Sequence, residues 1–310
     1  MDLVPSEARI GLGCMPFSFG YVDAPSEDEP AAVIGRALDL GVTMFDTADV
    51  YGPFTNEEIL GRGLGSRRDE ATIATKWGLL VGPNGGYPLS RDARPERAAE
   101  AVRASLTRLG TDVIDLYYLH RVDEAVPLEE SWGAMAALVH EGLVRAIGLS
   151  EVDVDELERA HAIHPVAALQ SELSLWTHDA IAGALPWCAD HGAAFVAFSP
   201  LGRGFLTGTI TAADFDASDF RASNPRFTDE AIAANGSIVE VVRAVAARHG
   251  ATPAQVALAW TLTRGSHVVP IPGTKRRRYV EENVAASALV LTQEDLAELR
   301  SVPPPAAPRY

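Results

Sequence analysis

The chain has 310 residues and only two cysteines, Cys14 and Cys188, with no C-x-x-C pair. That excludes a disulfide scaffold and a cysteine-rich zinc site, and no bound metal is expected. No apolar run reaches the roughly 18 residues of a membrane span. The opening MDLVPSEARIGLG has no basic segment followed by an apolar one. A cytoplasmic protein is therefore expected. Positive charge is also scarce: 26 basic residues against 42 acidic ones give a net charge of −16. Nucleic-acid backbones and anionic membrane surfaces would repel such a chain, so neither is expected as a partner. The rarest absence is lysine. Of the 26 basic residues only Lys76 and Lys275 are lysine, which suggests that these two do work that arginine cannot.

What remains is a normal globular balance, 47% hydrophobic and 22% charged. Short apolar runs alternate with amphipathic stretches of helical length. Eight runs read as strands: ARIGLGCM, VTMFD, ATIATKW, VIDLYYLH, VRAIGLS, VAALQSE, AAFVAFSP and HVVPIPG. Helical segments lie between them, and five end in glycine, at Gly41, Gly110, Gly142, Gly192 and Gly250. TPAQ, with Thr252 as N-cap, Pro253 at the first helical position and Gln255 as the reciprocal partner, marks a helix start. Eight strand–helix units predict an α/β fold, a (β/α)8 TIM barrel in a single domain, 1–310. An open doubly wound sheet is the alternative. Residues 207–229 read as an irregular excursion over one barrel face, and 301–310 as a Pro-rich tail draped on the surface.

In such a barrel, chemistry sits where strands end. Asp46, Lys76, His120 and Ser150 close the second to fifth runs. Gln170 lies late in the sixth, Ser199 follows the seventh, and Tyr51 lies in the loop after Asp46. Together Asp46, Tyr51, Lys76 and His120 suit protonation of a carbonyl oxygen as it becomes an alkoxide. An adjacent ammonium is expected to lower the pKa of Tyr51 by roughly 1–3 units from ~10. Asp46 would hold Lys76, and His120 would orient the carbonyl.

At these residues the sequence resembles the aldo-keto reductase superfamily. FDTADVYG, ATKWG and YYLHRVD are similar to its catalytic segments. VRAIGLSE, LQSELSLW, FSPLGRGFLTG and PIPGTKRRRYVEENV are similar to its cofactor-binding segments, in the family's order. The resemblance implies hydride transfer from NADPH to an aldehyde or ketone. It implies catalytic roles for Asp46, Tyr51, Lys76 and His120, and it places Ser150 and Gln170 on the nicotinamide carboxamide. It puts the backbone of Gly13, Cys14 and Met15 near the reacting carbon. Ser199, Pro200, Leu201, Gly202 and Arg203 would cradle the pyrophosphate. Gly273, Lys275 and Arg276 would bind near the ribose 2′-phosphate, and Glu282 and Asn283 near adenine. The basic run TKRRR in so acidic a chain favours NADPH over NADH on charge alone.

Two positions depart from the wider pattern. Glu151 stands where many members have Asn, as in the branch with GLSE. Tyr279 stands where some have Arg, with Arg278 beside it. Phe17, Phe19, Trp77 and Trp176 are expected to wall a substrate pocket. Trp132, Trp187 and Trp260 are expected between helices and barrel. GLGCMP lacks the third glycine of a dinucleotide fingerprint, and GRGLG follows a helix rather than a strand. The expected partner is a small carbonyl compound, and the chain would be a monomer or a homo-oligomer. One alternative function stays open, an NADPH-binding regulatory subunit such as the potassium-channel β subunits of this fold. A lyase or isomerase on the same barrel is another.

Overall fold

The computed structural model describes residues 3, 8–21, 28–82, 90–213 and 215–309. The rest of the opening segment, Asp214 of the predicted excursion and Tyr310 of the tail lie outside the described residues. In chain order the elements are β1 (Leu12–Gly13), α1 (Pro30–Asp39), β2 (Met44–Asp46), α2 (Thr55–Leu64) and β3 (Thr72–Trp77). A small hairpin follows, β4 (Leu79–Leu80) and β5 (Ser90–Arg91), then α3 (Pro95–Leu109), β6 (Ile114–Leu119), α4 (Leu128–His140) and β7 (Val144–Ser150). Next come α5 (Val154–His161), β8 (Ala168–Glu172), α6 (Ala184–His191), β9 (Ala194–Phe198), α7 (Asp229–His249) and α8 (Pro253–Leu262). The chain closes with β10 (Val268–Pro270), α9 (Arg277–Ala285) and α10 (Gln293–Arg300).

All eight predicted strands are present and pair in parallel in the order β1-β2-β3-β6-β7-β8-β9-β10. A parallel bridge between Gly13 and Gly273 joins the two ends of that order, so the sheet closes into a barrel. Closure needs a close approach: a Cβ on Gly13 would stand 2.8 Å from the Ile271 carbonyl oxygen. The five glycines expected to end helices all adopt positive φ, and the capping box of Thr252 and Gln255 is formed. The hairpin β4–β5 and helix α10 were not foreseen. The hairpin's strands are two residues each, too short to show a period.

Strand alternation sorts the core into two layers. Met44, Ala74, Leu116, Tyr118, Ala168 and Val196 fill the barrel interior. Their neighbours Phe45, Ile73, Trp77, Tyr117 and Phe195 face the helices, where Trp132, Trp187 and Trp260 also lie.

A 3-10 turn at Gly202–Thr207 leads into the excursion, which holds two more at Phe220–Ser223 and Pro225–Phe227. The tail is tied down rather than merely draped. Ala306 donates to Asn235 Oδ1, and Ala307 and Arg309 accept from Arg226 and Asn224. The Arg309 guanidinium bonds Glu151 and lies 3.7 Å from Glu172, whose side chain is 2% exposed. Removing it leaves two carboxylates short of a cation in a poorly solvated setting. Arg309→Ala is expected to lower the melting temperature by a few degrees, on the order of 1–3 kcal/mol. Adding Glu151→Gln should recover part of that loss; an unchanged melting curve for Arg309→Ala would show that the Arg309 side chain contributes nothing to stability.

Candidate active site

The polar strand ends converge on one rim, as the register requires. Asp46 pairs with Ala74 one residue pair below Lys76, and Ser150 pairs with Gln170. Lys76 is fully buried. Its Nζ donates to Asp46 Oδ1 at 2.6 Å and to the Thr47 carbonyl at 2.7 Å. The other Asp46 oxygen accepts from Gln170 Nε2 at 2.6 Å. Both carboxylate oxygens are therefore occupied, which is how a buried ion pair is made tolerable. Lys76 Nζ lies 5.2 Å from the centre of the Tyr51 ring. His120 meets the same ring edge-on at 6.0 Å.

Tyr51 is held by the loop behind it. Asn56, wholly buried, donates to Ser18 Oγ and to the Cys14 carbonyl, and accepts from Thr47 Oγ1. The Asn56 amide N–H in turn bonds the Tyr51 carbonyl. Phe19 stacks on the Tyr51 ring at 5.6 Å.

The electrostatics correct one expectation. Burial pushes the Tyr51 hydroxyl above its ordinary value, although Lys76 pulls it down as expected. Desolvation outweighs the ammonium because Asp46 already offsets that charge. In the free protein Tyr51 is thus a phenol, not a phenolate. His120 is held well below the usual imidazole range by burial and by the neighbouring Lys76 and Arg121 cations. It is neutral, and its Nδ1 is buried with no partner among the described residues.

Three of the four border a cavity of about 1040 Å³. Asp46, Tyr51 and His120 line it, with Lys76 just beneath. Gly13, Met15, Ser150 and Gln170 line the same end. Ser199, Pro200, Leu201 and Arg203 also line it, as do Gly273, which is bridged to Gly13, and Lys275, Arg276, Glu282 and Asn283. Arg278 is turned away, donating to the Tyr279 hydroxyl. Two predicted members lie off the surface. Cys14 is fully buried, its amide bonded to the Asp46 carbonyl and its thiol pushed up by burial. Gly202 packs against Trp176, where a Cβ would stand 2.8 Å from the indole.

The aromatic wall is largely wrong. Of its four residues only Phe19 lines the cavity. Trp77 follows Lys76 in a strand, so when Lys76 points inward Trp77 must point outward; it stacks on Tyr117 among the helices. Trp176 is buried between Phe205, at 4.7 Å, and the Arg226 guanidinium. Phe17 packs against the outer core. Leu79, Arg91, Arg121 and Thr252, which sequence reasoning missed, do line the cavity. Arg121 directly follows His120, and that adjacency was the available signal.

The comparisons agree with this geometry. The Aldo/keto reductase family model matches residues 9–303. The chain belongs to the aldo/keto reductase family. It is accordingly an oxidoreductase. It is 42% identical over 294 residues to a probable aldo-keto reductase 1 of Glycine max, covering 94% of this chain and 84% of that protein. The structure of a glycerol dehydrogenase from Gluconobacter oxydans is similar with a TM-score of 0.85 at 30% identity, over 97% and 94% of the two chains. An aldo-keto reductase from Klebsiella pneumoniae, solved with NADPH, matches with a TM-score of 0.71 at 26% identity, over 96% and 92%.

The second aspartate of FDTADVYG has a different lot from the first. Asp49 is buried with Oδ1 unpartnered. Burial and the nearby Glu57 raise its carboxyl from 3.8 to about 7. The folded protein therefore binds more protons than the unfolded chain between those values, and stability falls as pH rises through that window. Asp49→Asn should be more stable than the parent above about pH 7, with the gap closing towards about pH 4. Thermal melts across that range check this; a gap independent of pH would exclude Asp49 as the titrating group.

Proposed function

We propose that this aldo/keto reductase uses NADPH to reduce an aldehyde or ketone to an alcohol. One observation carries the reading: a buried ammonium, locked between Asp46 and the Thr47 carbonyl, faces a protonated Tyr51 beside a neutral His120 at the end of a large cavity. A phenol and a neutral imidazole can each donate a hydrogen bond to a carbonyl oxygen. Tyr51 gives up its proton as charge develops on that oxygen, and Lys76 stabilises the phenolate left behind. Asp46 and Gln170 keep Lys76 charged and in place.

The cavity suits NADP(H). Its lining joins Tyr51 and His120, beside Lys76, to the cations Lys275 and Arg276. Ser199 and Arg203 hold left-handed backbone, φ 49° and 56°, which turns the chain along its wall. Gly13 leaves the barrel rim bare of side chain. In this reading Ser150 and Gln170 meet the carboxamide, and residues 199–203 the pyrophosphate. Lys275 and Arg276 meet the 2′-phosphate, and Glu282 and Asn283 the adenine. When bound, the dihydronicotinamide supplies the hydride.

Tyr51→Phe should bind NADPH like the parent and lose turnover of a carbonyl panel by about 10²–10⁴-fold. Full activity in that variant would remove the tyrosine acid. Lys275→Ala with Arg276→Ala should raise KM for NADPH by at least about 10-fold and leave KM for NADH nearly unchanged. Equal effects on both cofactors would move the 2′-phosphate site elsewhere.

A further inference from the structure

Several cations line the cavity, and the proposed NADP(H) contacts, Arg203, Lys275 and Arg276, account for only some of them. At the Tyr51 end, Arg121 borders the cavity directly after His120. Its Nη1 donates to the His120 carbonyl at 2.6 Å and to Ser150 Oγ at 3.0 Å. Those two bonds fix the guanidinium in position. Among the described residues the Nε and Nη2 edge has no acceptor, and no carboxylate forms an ion pair with Arg121. In a chain with 42 acidic residues such neglect is informative. That edge is the planar fork that suits a carboxylate.

A second arginine stands near it. Arg91 lies opposite Leu79 in the β4–β5 hairpin, and both border the cavity. Arg91 Nη1 donates to the Val122 carbonyl, one residue beyond Arg121. Its ion pair with Glu124, 3.5 Å, is to a side chain 93% exposed. A pair of that kind is weak and readily exchanged. Asp46, the carboxylate at this end, is already spent on Lys76 and Gln170. Charge at the substrate end is therefore positive, beside the apolar surfaces of Phe19, Val50 and Leu79.

We infer that the substrate is an anionic carbonyl compound, with a carboxylate held by Arg121 and screened at the mouth by Arg91. This rests on the carbonyl reduction proposed above. The nicotinamide bears no anionic group, so the cofactor has no use for a cation beside Ser150. An apolar body carrying one carboxylate matches both the fork and the apolar surfaces.

The test compares para-carboxybenzaldehyde with its methyl ester, using NADPH and the intact protein. The ester has the more reactive carbonyl, so chemistry alone favours it. The wild type is expected to prefer the acid in kcat/KM by about 10-fold or more. Arg121→Gln should collapse that ratio by about 10–100-fold, with Arg121→Lys restoring part. A role in structure or in oxyanion stabilisation lowers acid and ester alike and leaves the ratio unmoved, which would overturn the inference. So would a wild type that turns over the ester as well as the acid. Should Arg121→Gln not fold, Arg91→Gln and added salt must each shrink the ratio; a ratio indifferent to both would also overturn it. If neither aldehyde is turned over, the reductase reading itself fails. Calorimetric titration of the corresponding alcohol and its methyl ester into the NADP⁺-loaded protein then decides the charge question alone. Tighter binding of the acid supports the inference, and equal binding sinks it.

Discussion

Everything at the open end of the barrel depends on one buried ion pair. Taking Lys76 and Asp46 out of water costs several kcal/mol per ion before their attraction is counted. The structure offsets this by leaving no acceptor of Asp46 idle. One oxygen takes Lys76 and the other takes Gln170, while a second Lys76 proton goes to the Thr47 carbonyl. Three strands, β2, β3 and β8, meet in that arrangement, so the pair also fixes their relative heights. An arginine in place of Lys76 would need more room and more acceptors than this pocket has. That is a physical reason for lysine to persist here in a chain that otherwise uses arginine.

The same pair explains why Tyr51 is not a free-standing phenolate. An ammonium already compensated by a carboxylate lowers a neighbouring pKa less than a bare one does. Burial then holds the proton on. In the proposed reduction this is the state required, with the acid loaded, and Lys76 would act when charge moves onto the phenol oxygen. His120 is pushed the opposite way by the same surroundings, because burial disfavours its charged form and a third positive charge beside Lys76 and Arg121 is unfavourable. Two groups with opposite responses to one environment end up both neutral, and both able to donate a hydrogen bond.

Much of this was legible in the sequence because it rests on period and position. Eight apolar runs ending in polar residues predict a barrel rim, and β2, β3, β6 and β7 deliver Asp46, Lys76, His120 and Ser150 to it. Trp77 shows what a more careful reading would have caught. Neighbours in a strand cannot both face the cavity, so placing Lys76 inside excludes Trp77. Trp176 is different: its burial depends on Phe205 and on Phe227 and Arg226 from the excursion, which no local pattern reveals. The net direction of the Tyr51 shift was likewise out of reach, since it is a balance between desolvation and charge that requires the packed geometry.

The segments after β7 and β9 are built on strained backbone. Glu151, Ser199 and Arg203 all adopt left-handed φ without being glycine, a conformation that costs on the order of 1–3 kcal/mol each. Such residues persist only where neighbours over-determine them. Glu151 is fixed by Ser171 Oγ, the Glu172 amide and Arg309. Arg203 lies against the Phe220 ring and 3.9 Å from Glu172. Glu172 in turn accepts from Thr177, which accepts from Arg226. The last residues of the chain thus enter a network whose other end borders the cavity. A tail with no helix or strand of its own past α10 helps hold the strained turn at Arg203, and the departure from the wider family at Glu151 gains its reason there: a carboxylate at that position gives Arg309 a partner that asparagine could not.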